Sequence, residues 1–188
     1  ILAKLEGDGD LERITADVDP RFDAAAIMRS RDPGKALLFH SIGRSGRKAV
    51  ANLFGKRERI AKGLGVGMGE IHRHLLRSIE NPVGCKEVPS SLGVKAGSGE
   101  LSNLPVLTHY EKDAGPYITS ATVIAADPET GIQNASIHRL LLRGDHLVIR
   151  MVEGRHLHRI YAKYRARGKD TPVAIAISPP PAVTVAAA

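Results

Sequence analysis

The chain has 188 residues, 43% of them apolar and 25% charged, the proportions of an ordinary globular protein. A single cysteine, Cys85, excludes a disulfide framework and a thiolate metal cluster, and reads as a reducing, cytoplasmic setting. Lysine and arginine exceed the acids by 27 to 20, a formal charge of +7 that predicts anionic partners, while aromatics at 4% and no Trp count against a reader that stacks single-stranded bases.

Ile1 already lies in a helical pattern, so the sequence is expected to begin downstream of the true start. Residues 11–18 read as a strand. Asp19-Pro20 then supplies an N-cap and an N1 proline for a helix through Ser30, closed by the Asp32-Pro33-Gly34 turn. Two apolar runs, Ala36–Phe39 and Ala49–Phe54, read as strands on either side of the loop Gly43–Arg47. Gly55 precedes a charged helix, Lys56–Lys62. A second helix covers Glu70–Glu80, with Ile71, Leu75 and Ile79 four apart, and stops at Asn81-Pro82. Residues 82–104, rich in Pro, Gly and Ser, have no sustained period and make the best boundary between domains.

Beyond that boundary Pro116–Ala126 reads as a strand ending in the turn 127–131. Asn134–Arg143 and His146–Val152 form a hairpin through Gly144-Asp145. Arg155–Arg167 is amphipathic, with Leu157, Ile160, Tyr161 and Tyr164 on one stripe and Gly168 as the residue after its cap. Val173–Ile177 reads as a buried strand, short of membrane-spanning length because Ser178 and three prolines follow. A helix-prone tail, 182–188, closes the sequence.

Two tempting motifs carry little. The run Gly63, Gly65, Gly67, Gly69 departs from the dinucleotide fingerprint at Glu70 and reads as a flexible loop. His72/His74 and His156/His158 are two apart, so on a helix neither pair can hold one metal. His156 stands apart because it falls in the first turn of its helix, where amide dipoles favour anions and a neutral imidazole. The richest polar chemistry is at 134–156. Arg139 and Arg150 on the two strands of one hairpin could cradle an anion, and a solvated sheet face is the competing reading. Alternation puts Asn134 and Arg139 on opposite faces unless a bulge intervenes or Asn134 precedes the strand.

Read in order, Val18-Asp19-Pro20, Ala36–Phe39, Asn52–Gly55, Gly115–Thr119, Asp127–Gly131, Asn134–Arg139, Arg155-His156 and Pro172–Ile177 resemble the UbiD family of decarboxylases, across nearly the whole chain. Ser136–Arg139 with Arg155–His158 looks most like the archaeal members, which include enzymes acting on anhydromevalonate phosphate. The resemblance implies an N-terminal α/β domain, 1–98, followed at 99–188 by part of a flavin-reductase-like split β-barrel that binds prenylated FMN. It makes Asn134 and His156 ligands of a divalent metal, Mn²⁺, with K⁺ as an accompanying ion. Ile137, His138, Arg139, Arg150, Met151, Val152, Arg155 and His156 would line the cofactor, and Arg139 would hold the substrate carboxylate.

The implied reaction is non-oxidative decarboxylation of an α,β-unsaturated acid. A flavin prenyltransferase would supply the cofactor, and the full-length protein would be a homo-oligomer without membrane association. The resemblance also implies a third metal ligand and two glutamates beyond residue 177. After Asn134 the sequence has one glutamate, Glu153, so it reads as an inactive N-terminal portion. The alternative is a non-catalytic module that binds anions or nucleic acid, less expected given the scattered basic residues.

Overall fold

The structure, a computed structural model, describes residues 1–84, 86 and 99–188. Its first part contains α1 (Leu2–Gly7), β1 (Leu11–Val18), α2 (Asp23–Ser30), β2 (Ala36–Ile42), β3 (Ala49–Ala51), α3 (Arg57–Leu64) and α4 (Ile71–Glu80). β1 and β2 are parallel, and β3 pairs antiparallel with β2. β2 is the central strand, which explains its unbroken apolar start: Ala36, Leu37, Leu38 and Phe39 are all buried. Burying a side chain such as Leu37 or Phe39 contributes ~1.5–3 kcal/mol. A core forms from Val18, Ala24, Leu37, Phe39 and Ile42, with Leu107 packed onto it from the later part of the chain.

The second part contains β4 (Tyr117–Ala126), β5 (Gln133–Arg143), β6 (His146–Ile149), α5 (His156–Ala166), β7 (Ala174–Ile177) and α6 (Pro181–Ala186). The four strands make an antiparallel sheet in the order β6-β5-β4-β7. α5 lays Leu157 and Ile160 on one face, over Ile118, Ala121, Val123, Ala125 and Leu140. Its C-terminal half is tied to the β4–β5 turn: Lys163 Nζ lies 2.6 Å from Asp127 and 2.7 Å from Glu129. The Lys163 ammonium, with backbone amides of the turn, holds the Asp127 carboxyl below its usual range.

Two connections join the parts. Thr108 accepts from the Phe22 amide and donates to the Pro20 carbonyl, both at 3.0 Å, while Leu107 accepts from the Tyr117 amide at 2.8 Å. Near the C-terminus, α6 returns to α3. Buried Arg59 of α3 anchors the first part. Its Nε and Nη2 reach the two Asp10 carboxylate oxygens at 2.8 and 2.7 Å, and it also donates to the carbonyls of Asn52 and Gly34.

Several expectations need correction. The helix opened at Asp19-Pro20 begins at Asp23 instead, with Phe22 as N-cap, because the Asp19 carboxylate accepts the Arg21 amide and closes a local turn. The apolar run 49–54 is a strand only to Ala51. The glycine run at 63–69 is ordered: Gly63 lies in the last turn of α3, Gly65 caps it at φ 73°, and Met68–Glu70 form a 3-10 turn. Strand 146–152 stops at Ile149. The terminal strand is not buried: β7 is an edge, with Val173 50% and Ile177 45% exposed. Cys85 and most of the 82–104 boundary lie outside the described residues.

Candidate functional site

β5 carries most of the expected site, and its register decides which residues meet. Asn134, Ser136 and His138 stand opposite Ala125, Val123 and Ala121 of β4, and so share the face that α5 partly covers. They form a hydrogen-bonded row. The Asn134 amide nitrogen donates to Ser136 Oγ at 3.2 Å, and Ser136 Oγ lies 2.9 Å from His138 Nε2. With the nitrogen engaged, the side-chain oxygen is the acceptor that Asn134 has left to offer. All three residues are half-buried.

Ile137 and Arg139 point to the other face. The sheet has a bulge, but the extra residue is on β4, between Ile118 and Ala121, so alternation along β5 is unbroken. Asn134 and Arg139 therefore lie on opposite faces. The Arg139 guanidinium carbon sits 5.5 Å from the Tyr117 ring centroid. Continuing the Leu140–Ile149 register by one step sets Arg139 beside Arg150 just past the end of β6, and both are exposed. On the same face Thr122, opposite Ile137, is fully buried with its hydroxyl unpaired among the described residues.

After β6 the chain turns through Met151, Val152 and Gly154 into α5. Arg155 is the N-cap and makes no side-chain cap hydrogen bond, and exposed His156 is the first helical residue. The first-turn amides thus present donors for an anion. A cavity of about 550 Å³ opens between the sheet and α5, with Val123, Leu140, Ile149, Met151, Leu157 and Tyr161 among its lining. Of the expected site residues only Met151 lines it. Among the described residues no three His, Cys, Asp or Glu side chains cluster as a metal centre.

The family model for the 3-octaprenyl-4-hydroxybenzoate carboxy-lyase N-terminal domain matches residues 2–79, and that for the Rift-related domain of the same carboxy-lyase matches 83–188. The chain belongs to the UbiD family. Its relatives include proteins named anhydromevalonate phosphate decarboxylase from Methanothermobacter thermautotrophicus, 38% identical over 90% of this chain and 40% of the relative, and from Methanosarcina mazei, 38% identical over 98% and 43%. Among solved structures, an evolved dimeric form of the UbiD-class enzyme HmfF from Pelotomaculum thermopropionicum, in complex with prFMN, superposes with a TM-score of 0.87 at 38% identity, over 93% of this chain and 42% of that one. Vanillic acid decarboxylase from Sedimentibacter hydroxybenzoicus, in closed form, gives 0.89 at 27% identity, over 99% and 43%. The chain spans about two fifths of the length of these relatives.

Sequence reading gave no role to two contacts of this region. Tyr117 beneath Arg139 was only part of a strand, and it comes into place through a register that spans 22 residues of chain. The Ser136 bridge between Asn134 and His138 had a visible signal: polar residues at every second position of an otherwise apolar strand.

Proposed function

We propose that this chain contributes the cofactor-binding part of a UbiD-type carboxy-lyase that decarboxylates an α,β-unsaturated acid with prenylated FMN and a divalent metal. The observation that carries the reading is the family match over both parts of the chain. The relatives' names point to an anhydromevalonate phosphate as substrate, which the reading takes as the trans 5-phosphate. The same proposal includes the division at 98/99, a split barrel completed by strands beyond β7, Mn²⁺ with K⁺, homo-oligomerisation, a flavin prenyltransferase as supplier, and a cytoplasmic location. No described helix is long and apolar enough to cross a membrane.

The residues fit the groups in part. A neutral amide oxygen from Asn134 and an imidazole from His156 suit a divalent cation only when anionic oxygens complete the shell. The cofactor phosphate and a carboxylate from elsewhere in the protein would supply them. Exposed Arg155, with the uncapped start of α5, fits the phosphate end of a flavin, while exposed Arg139 and Arg150 stand together on the sheet face away from α5. Ile137, Met151 and Val152 offer apolar contact, and the unpaired Thr122 hydroxyl lies beneath the same face.

Prenylated FMN, when bound, supplies the electron sink for the pair released as CO₂ departs. The chain's own residues do the placing. Arg139, steadied on Tyr117, would pair with the substrate carboxylate and fix its plane. His138, held by Ser136, would border the cofactor, with Asn134 and His156 at the metal.

The test is flavin retention. The chain mixed with FMN and Mn²⁺ should carry flavin through gel filtration, and Asn134→Ala should weaken Mn²⁺ binding at least about tenfold, the scale of losing a group that supports a metal. Equal Mn²⁺ affinity in the parent, Asn134→Ala and His156→Ala would overturn the assignment. A polynucleotide affinity that falls steeply with salt would support the anion-binding module instead.

A further inference from the structure

The loop between β2 and β3 has no part in the cofactor reading. It runs Gly43-Arg44-Ser45-Gly46-Arg47-Lys48, every residue exposed, at the carboxyl end of β2 and beside the carboxyl end of its parallel neighbour β1. Among the described residues, none of the loop's three cations forms an ion pair, although several other surface cations do. Exposed Arg21 follows β1, and its neighbour Pro20 packs against Gly43, whose added Cβ would lie 3.1 Å from the proline ring.

The loop is held in shape from below. Asp17 of β1 accepts the Arg44 amide at 2.9 Å and also the Ser41 hydroxyl. These donors keep the Asp17 carboxyl below its usual range, so it stays ionised and occupied. Arg44 is fixed at φ 56°, between Gly43 at 59° and Gly46 at 64°. A left-handed arginine is costly, and such outliers point toward function when the surroundings hold them in place. Here Asp17 supplies the restraint through the backbone amide of Arg44, whose exposed side chain forms no ion pair within contact distance among the described residues.

We infer that loop 43–48 is a binding site for the phosphoryl group of a small phosphate monoester, gripped by Arg44, Arg47 and Lys48 with Arg21 at its edge. Three exposed cations within five residues of chain, none of them in an ion pair among the described residues, give a short loop a high positive charge density, which suits a compact dianion. A polynucleotide would call for a longer track of cations with aromatic platforms. The acids in reach are Asp17, saturated by the loop itself, and Asp19, engaged by the Arg21 amide. The inference does not rest on the flavin reading, because no residue of the loop has a role in it.

Amide chemical shifts of the chain should be followed with glycerol 3-phosphate, inorganic phosphate and chloride at constant ionic strength. The expected result is saturable movement of Gly46, Arg47 and Lys48 with the ester, and none with chloride. Arg44→Gly suits the left-handed backbone while deleting the cation, so a loss cannot be put down to misfolding. Arg44→Gly with Arg47→Gln should weaken the ester about tenfold or more, each tenfold being ~1.4 kcal/mol, while Lys4→Gln leaves it unchanged. Equal binding by parent and double variant, or a response to inorganic phosphate without the ester, overturns the proposal. Tight polynucleotide binding with a steep salt slope and no ester binding overturns it in favour of nucleic acid.

Discussion

At the scale of single residues, Arg59 shows how one buried charge fixes the N-terminal part. Its side chain is 1% exposed, and it satisfies both oxygens of Asp10 and two backbone carbonyls from separate loops. Removing it leaves the Asp10 carboxylate with Lys56 alone, 3.8 Å away, and strands two acceptors; breaking a buried pair in this way typically costs about 3–5 kcal/mol. Arg59→Leu should therefore lower the stability of this part by that order in urea denaturation. Arg59→Lys should recover only a fraction, because an ammonium cannot bridge two carboxylate oxygens in a fork. Ser136 makes a second test at this scale. Ser136→Ala leaves both the Asn134 amide and His138 without their shared partner. Mn²⁺ affinity of the flavin-loaded chain should fall about tenfold with the fold intact, the scale of losing an outer-shell partner; unchanged affinity would mean that the row is structural only. The Arg59 contact could not be read from sequence alone. Arg59 sits on a helix of charged residues and looks solvated, and its partner Asp10 is 49 positions away.

At the scale of elements, the sequence was most legible where one period dominates. β1, β4, β5, α4 and α5 lie within a residue or two of where alternation or the 3.6-residue stripe puts them. Legibility failed where a side chain competed for a backbone group or where burial depended on a distant neighbour. Asp19 has the residue type of an N-cap, yet its carboxylate bonds the Arg21 amide and the helix starts later. β7 has the composition of a buried strand, yet it pairs only with β4 and leaves its other edge open. Gly63 is the clearest case of a residue whose reason lies far along the chain. A Cβ there would come within 2.6 Å of Pro181 Cβ, where α3 meets α6. Alanine in a helix should gain roughly 0.5–1 kcal/mol over glycine, but here it pushes α6 off its seat. Gly63→Ala should thus be net destabilising by thermal melting, and Gly63→Ala with Pro181→Gly should recover the helix gain. A Gly63→Ala variant that melts higher than the parent would show that α6 does not dock there.

At the scale of the whole molecule, charge sets the acid limit of both parts. Basic residues outnumber acids by seven, so the acids that remain ionised in the fold are held by cations or amides. Asp10 is lowered mainly by Arg59, Asp17 by Ser41 and the Arg44 amide, Asp127 by Lys163 and Glu6 by Arg13. Each folded carboxyl titrates below its unfolded value of 3.8 for aspartate or 4.5 for glutamate. Between the two values the unfolded chain binds more protons than the native one, so stability rises with pH there. The contribution is fully present above the unfolded values and is lost as pH falls through the folded ones. Protonation also increases a net positive charge that already repels itself. Urea denaturation followed from pH 6 down to about pH 2 should show stability falling steadily once the unfolded values are crossed. Salt should blunt the contributions of the exposed pairs at Glu6 and Asp127. The Asp10–Arg59 pair, with its guanidinium shielded from solvent, should resist salt, so Asp10→Asn should remove a portion of the acid slope that ionic strength leaves untouched. An Asp10→Asn chain whose acid slope matches the parent at high salt would mean that this pair does not set the acid limit of the fold.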